Sequence, residues 1–314
     1  MQHADKHNNK ETGQMETQAL WVLDGGMGRE LARRGAPFRQ PEWSALALME
    51  APQTVREVHQ AYVASGARVI TTNSYALVPF HIGAERCAAE GEALAALAGQ
   101  LAREVANEQG GVVQVAGSLP PLFGSYRADL FEVDRVGELA TPLIRALSPH
   151  VDIWLAETMS LIAEPLALKA LLPADGKPFW VSFTLEDEAP GSEPTLRSGE
   201  RVADAVTALA AVGVDAILFN CCQPEVIEAA LTVAGASLQA LGRGDIRLGA
   251  YANAFPPQPK EATANDGLDE IRADLGPLDY LGWAERWRGV GASLIGGCCG
   301  IGPEHIQALA SRLR

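Results

Sequence analysis

Beyond a polar opening stretch, short runs of β-branched and apolar residues alternate with longer segments in which apolar positions recur at helical spacing among Ala, Leu and Glu. The short runs read as strands over Leu20–Leu23, Arg68–Thr72, Val112–Ala116, Asp152–Leu155, Phe179–Phe183, Ala216–Phe219, Arg247–Tyr251 and Ser293–Gly296. The longer period predicts helices over Thr54–Ser65, Ala84–Gln109, Val133–Ala146, Leu161–Leu172, Val202–Val212, Glu225–Leu241, Leu268–Arg286 and Pro303–Leu313. Proline at the first position of the last of these is a normal helix start. Strands and helices in regular alternation imply a parallel sheet with helical crossovers. An open doubly wound sheet shows the same alternation, so the strand count carries the decision, and eight strands favour a single (β/α)8 TIM barrel.

Residues 1–18 have no hydrophobic period and read as a disordered leader; residues 19–314 form the barrel domain, without a linker or internal repeat. The stretch from Glu186 to Gly199, with Pro190, Gly191 and Pro194, reads as a loop inserted in the barrel.

A barrel draws its chemistry from the C-terminal ends of its strands, and polar motifs do follow the predicted strands here. Asp24-Gly25-Gly26-Met27-Gly28 follows the first, Thr72-Asn73-Ser74-Tyr75 the second, Gly117-Ser118-Leu119-Pro120-Pro121 the third and Glu157-Thr158 the fourth. Asn220-Cys221-Cys222 follows the sixth, Ala252-Asn253 the seventh and Gly297-Cys298-Cys299-Gly300 the eighth. Reactive side chains therefore gather on one rim.

Composition narrows the chemistry. A chain of 314 residues, 47% hydrophobic and 20% charged, has the apolar mass for one large core. A net charge of -14 argues against nucleic acid as a partner, because phosphate binding needs clustered Lys and Arg. No run approaches the roughly 18 apolar residues of a membrane helix, and the polar opening lacks the apolar core of a secretion signal, so a cytoplasmic protein without a membrane partner is expected. The cysteine count of five is odd and includes two adjacent pairs, which points to free thiols.

One cysteine after the sixth strand and a pair after the eighth can meet across a barrel mouth. Three thiolates leave a tetrahedral zinc ion one free position, the signature of a catalytic site, whereas a structural site closes with four protein ligands. Spacing leaves open whether Cys221 or Cys222 faces the mouth, since neighbouring strand residues point to opposite sides. Cys87, in a predicted helix, reads as a buried small hydrophobe. The Gly25-Gly26-Met27-Gly28 run lacks the spacing of a nucleotide loop; its glycines suit either a tight turn or close approach of backbone to a ligand carboxylate. Asp24 and Glu157, carboxylates directly after apolar strands, are costly there without a partner and suit an ammonium group. Tyr75, Phe123 and Tyr126 are candidates for an aromatic wall around a cationic ligand. His81, His150 and His305 read as structural.

From about Leu20 to Leu313 the chain resembles the zinc-dependent homocysteine S-methyltransferases, a group that includes S-methylmethionine and betaine methyltransferases. The resemblance rests on Asp24-Gly25-Gly26, Asn220-Cys221 and Gly296-Gly297-Cys298-Cys299-Gly300. It implies a Zn2+ cofactor on Cys221, Cys298 and Cys299, selecting Cys221 over its neighbour. It also implies homocysteine contacts at Asp24, Gly25, Gly26, Tyr75 and Glu157, with Asp24 and Glu157 orienting the acceptor for catalysis. Asn253 resembles an asparagine that approaches the zinc when substrate is absent. The implied reaction moves a methyl group from a small onium donor to homocysteine, giving methionine. S-methylmethionine or S-adenosylmethionine is the favoured donor, betaine or dimethylsulfoniopropionate the alternative. The segment Gly117–Tyr126 departs from the Gly-Pro-Tyr-Gly-Ala loop of the S-methylmethionine enzymes, and so leaves the donor open. A non-enzymatic zinc or thiol sensor, or an acceptor domain working with a partner, would carry the same cysteines.

Overall fold

The computed structural model describes residues 18–259, 262–265, 267 and 269–313; the expected leader lies outside them except for Gln18. The elements follow one another as β1 (Trp21–Val22), α1 (Met27–Arg33), α2 (Ser44–Glu50), α3 (Pro52–Ala64), β2 (Val69–Thr71), α4 (Pro79–Ile82), α5 (Ala84–Asn107) and β3 (Gln114–Leu119). Next come α6 (Val136–Leu147), β4 (Ile153–Met159), α7 (Ala163–Leu171), β5 (Phe179–Phe183), α8 (Val202–Val212), β6 (Ala216–Asn220) and α9 (Pro224–Ala240). The chain ends with β7 (Arg247–Tyr251), α10 (Pro277–Gly289), β8 (Ala292–Ile295) and α11 (Pro303–Arg312). All strand pairs are parallel and in sequence order from β2 to β8, with β1 beside β8. The Leu23–Val69 bridge and the hydrogen bonds Asp24 N–H to Val69 C=O (3.0 Å) and Arg68 N–H to Val22 C=O (2.7 Å) close the remaining gap between β1 and β2. The predicted (β/α)8 barrel is the fold.

Alternation along the strands divides the core into two layers. Leu23, Val69, Ala116, Leu155, Trp180, Leu218 and Leu294 fill the lumen. Residues one step away, such as Val22, Ile70, Val115, Trp154, Val181, Ile217 and Ile295, pack outward with the helices. Helix starts are set locally. Pro52, Pro79, Pro224, Pro277 and Pro303 each stand in the first turn, where a missing N–H costs nothing. Gly213 ends α8 in the left-handed conformation.

Three departures from the sequence reading bear on the site. β4 runs on to Met159, so Glu157 and Thr158 belong to the strand rather than to the loop beyond it. β3 starts at Gln114 and reaches Leu119, which places Ser118 in the sheet. The helix expected over Leu268–Arg286 starts at Pro277; Leu268 lies outside the described residues, and 269–276 is irregular. Proline biases the residue before it away from helical geometry, and Arg272 is drawn aside: its N–H donates to Ala254 C=O at 2.8 Å and its guanidinium reaches Glu225 at 2.6 Å.

Candidate metal and substrate site

Above the apolar lumen lies a polar layer. Thr71, Ser118, Glu157, Ser182, Asn220 and Tyr251 stand at the C-terminal ends of their strands, and Asp24 just beyond β1. Asp24 accepts hydrogen bonds from Thr71 N–H (2.7 Å) and Thr71 Oγ1 (3.1 Å). Glu157 accepts a short hydrogen bond from Ser118 Oγ and a longer one, 3.4 Å, from the Tyr251 hydroxyl. Burial pushes both carboxyls up to about 7 against these hydrogen bonds. Among the described residues no Lys or Arg pairs with either carboxyl, so the place suits a cationic group.

The sixth strand resolves the choice between the adjacent cysteines. Ala216 and Leu218 face the lumen, Ile217 and Phe219 face the helices, and continued alternation would send Cys222 inward. Cys221 instead adopts φ 50, a left-handed conformation, which reverses the order. Cys222 joins the outer core, completely buried, while Cys221 lines the cavity. Thr158, at φ 60, makes a matching break in β4. Asn220 ties the two breaks together: its Oδ1 accepts from Thr158 N–H (3.0 Å) and Ser182 Oγ (2.6 Å), and its Nδ2 donates to Thr158 Oγ1 (2.8 Å). The Cys221 carbonyl accepts from Thr184 Oγ1 (3.1 Å) and the Tyr126 hydroxyl (3.3 Å).

The Sγ atoms of Cys221, Cys298 and Cys299 all lie within 4.8 Å of one another, and those of Cys298 and Cys299 are 4.0 Å apart. Ligand sulfurs around a tetrahedral zinc ion, at about 2.3 Å from it, are roughly 3.8 Å apart, so the cluster fits such an ion with little movement. Its charge balance fits too. Shared hydrogen bonds with the other two thiols hold the Cys299 thiol below its ordinary value, while Cys298 is pushed up by those same contacts and by burial. Full ionisation of all three needs a cation between them.

The glycines have a packing reason. A Cβ on Gly25 would come within 2.3 Å of Ile301 O, and one on Gly26 within 2.5 Å of Cys298 O. The first loop thus lies directly on the cysteine turn, with Gly26 N–H donating to Ile301 C=O at 2.9 Å and the Tyr62 hydroxyl to Gly26 C=O at 2.9 Å. Gly25 and Gly26 nonetheless line the cavity.

That cavity, about 480 Å³, opens over the thiols and carboxylates. Tyr75 and Tyr126 line it, as does His81; Phe123 does not and packs on Phe131 with ring centroids 5.8 Å apart. Tyr75 shares a 2.6 Å hydrogen bond with Ser125, and the Arg197 guanidinium sits 4.9 Å from the centroid of the Tyr126 ring. Asn253 is fully buried and, among the described residues, is outside the cavity lining; its Oδ1 accepts from Phe255 N–H at 3.3 Å and its Nδ2 has no partner. Sequence reasoning missed Phe38, Trp43, Phe255 and Arg29, all in the lining. The first three stand in loops without periodicity, and Arg29 sits in a short helix that the hydrophobic pattern did not register.

Soft thiol donors beside buried carboxyls, at the C-terminal mouth of a closed barrel, define a class of enzyme built for thiol chemistry. Comparison with known proteins narrows the class: residues 21–313 match the homocysteine S-methyltransferase family, and the chain belongs to it. It is 33% identical to the homocysteine S-methyltransferase of Escherichia coli, over 97% of this chain and 99% of that one. It is 29% identical to homocysteine S-methyltransferase 1 of Zea mays, covering 93% and 94% of the two chains. The crystal structure of the E. coli homocysteine methyltransferase MmuM in its metallated form superposes with a TM-score of 0.75 at 32% identity, covering 95% of this chain and 98% of that chain.

Proposed function

We propose that this member of the homocysteine S-methyltransferase family is zinc-dependent and methylates homocysteine from a small onium donor, with S-methylmethionine or S-adenosylmethionine favoured over betaine or dimethylsulfoniopropionate. The observation that carries the reading is the convergence of the Cys221, Cys298 and Cys299 sulfurs within 4.8 Å at the floor of an aromatic-lined cavity. A zinc or thiol sensor has no need of such a chamber. When bound by the three cysteines, zinc supplies a Lewis acid that keeps the homocysteine sulfur deprotonated at neutral pH.

The chain's own residues do the rest. Asp24 and Glu157 receive the ammonium group of homocysteine, and that charge favours their ionised forms. Gly25, Gly26 and Tyr75 bound the acceptor, and Asn253, whose backbone N–H donates to Cys222 C=O at 3.2 Å, braces the cysteine turn from outside the cavity. Tyr75 and Tyr126, with Trp43, Phe38 and Phe255, surround the onium group by cation–π attraction. The acceptor sulfur forms a bond to the methyl carbon as the donor's carbon–heteroatom bond breaks. The donor leaves as a neutral sulfide or amine, and no proton moves to or from the methyl group. Holding the two substrates in line supplies much of the acceleration.

The test offers S-methylmethionine, S-adenosylmethionine, betaine and dimethylsulfoniopropionate in parallel with homocysteine, together with metal analysis of the purified protein. Turnover with one of them, about one zinc per chain, and loss of both in Cys298→Ala are the expected results. Full activity in that variant would sink the reading.

A further inference from the structure

The cavity holds a cation that the proposed mechanism leaves unused. Asp24, Glu157 and Asp269 line it beside the three thiols, and Arg29 is the one Lys or Arg among the described lining residues. The Arg29 Nη2 donates to the backbone carbonyl of Asp269 at 2.5 Å, and the guanidinium carbon lies 5.6 Å from the centroid of the Phe255 ring. Its Nε is shut off from solvent and has no hydrogen-bond partner among the described residues. No described carboxylate pairs with it either. It shares the cavity lining with the three thiols.

A guanidinium presents five N–H groups in a planar fork that matches a carboxylate. The Nε–H of this half-buried side chain lacks an acceptor, and leaving a buried donor unmade is costly. Arg29 is already oriented by the Asp269 carbonyl and the Phe255 ring, so a carboxylate entering the cavity finds the fork pre-positioned. The same lining holds the Asp24 and Glu157 pair, which suits an ammonium group. A cavity with carboxylates at one place and a guanidinium at another is matched to zwitterions.

We propose that Arg29 is a specificity-determining residue that binds the carboxylate of a substrate, so that the enzyme selects zwitterionic amino-acid or betaine-type molecules over onium ions or thiols that lack a carboxylate. The inference rests on the methyltransferase reading and adds the residue that reads the carboxylate of its substrates. Both acceptor and donor can bring the carboxylate, and matched pairs separate the two sources.

The experiment uses the zinc-loaded protein and the variants Arg29→Met and Arg29→Lys. Homocysteine is compared with 3-mercaptopropylamine, which is homocysteine without its carboxylate. Dimethylsulfoniopropionate is compared with ethyldimethylsulfonium, the same ion without its carboxylate. Binding is measured by calorimetry and turnover by kcat/KM. In one of the two pairs, Arg29→Met weakens the carboxylate-bearing member by about 10- to 100-fold and leaves the other member nearly unchanged. Arg29→Lys falls between, because it keeps the charge and loses the fork. The pair that responds identifies the substrate Arg29 reads.

A merely structural role predicts equal losses for both members of each pair, and that result, or no loss at all, overturns the inference. If the wild-type protein binds homocysteine and turns over while Arg29→Met still discriminates within both pairs as the wild type does, only this inference falls. If the wild-type protein binds neither thiol and methylates neither, the methyltransferase reading falls and takes this one with it.

Discussion

Cys221 and Cys222 are chemically identical neighbours with opposite fates, and a single backbone angle separates them. Alternation along β6 assigns Cys222 to the lumen; the left-handed φ of 50 at Cys221 sends Cys221 there instead. A non-glycine residue holds that conformation only where its surroundings over-determine it. Here Asn220 does so, through three hydrogen bonds to Thr158 and Ser182, with Thr184 and Tyr126 on the Cys221 carbonyl. Asn220→Ala should therefore weaken zinc binding by about 10- to 100-fold without removing a ligand, as loss of an outer-sphere partner does. Competition with a chromogenic chelator measures it. Cys222→Ala is the matched control: it should keep zinc affinity and lose about 1 to 2 kcal/mol of stability for the small hole left in the outer core. Equal affinities in Asn220→Ala and the wild type would show that the cysteine turn holds its shape unaided. The sequence pattern showed that cysteines end two strands. It could not show which of an adjacent pair faces inward, because a positive φ at a non-glycine residue leaves no mark in hydrophobic periodicity.

At the scale of elements, the regular alternation made the barrel legible. Eight strands of buried β-branched and apolar residues, with prolines at helix starts, leave few other folds. What failed to register was short or irregular: α1, α2 and α4 span too few residues for a period to show, and the true lengths of β3 and β4 depend on Ser118, Glu157 and Thr158, polar residues held in strands by bonds from neighbouring strands. The same holds for the β3 loop, which carries Ser125 and Tyr126 into the cavity. Glu164, in the first turn of α7, accepts the Leu122 N–H at 2.8 Å and pins that loop from behind. Burial raises its carboxyl from 4.5 to about 7. An acid that holds its proton more tightly when folded contributes stability that is full below 4.5 and is lost as pH rises through 7. Glu164→Gln keeps the acceptor and removes the titration. Thermal unfolding of the variant should match the wild type near pH 4.5 and exceed it at pH 8, by on the order of 2 kcal/mol. A variant less stable than the wild type at pH 8 would contradict the burial argument.

For the whole molecule, the segment between β7 and α10 decides how the chamber meets solvent. Predicted in part as helix, it instead reaches, through its described residues, the segments that follow β1 and β2. Trp43 Nε1 donates to Asn265 Oδ1 at 2.8 Å, Asn265 Nδ2 to Phe80 C=O at 3.2 Å, and Gln40 Nε2 to Ala264 C=O at 3.0 Å and Gly267 C=O at 2.7 Å. Phe255, Gln258, Pro259, Ala262, Thr263, Ala264 and Gly267 of this strap line the cavity, so loosening these bonds would widen its mouth. Excluding water matters for attack of a thiolate on an onium methyl, because the separated ions lose more solvation than the charge-dispersed transition state. Asn265 is the point where the strap meets two other loops at once. Asn265→Ala removes both bonds, each worth about 1 kcal/mol net, and should raise the open population about 10- to 30-fold. The barrel core is untouched, so the unfolding temperature should move little. The expected signature is faster proteolytic cleavage within residues 254–276, a raised KM for both substrates and faster release of product. If cleavage speeds up while both KM values stay fixed, the strap covers the mouth without controlling entry.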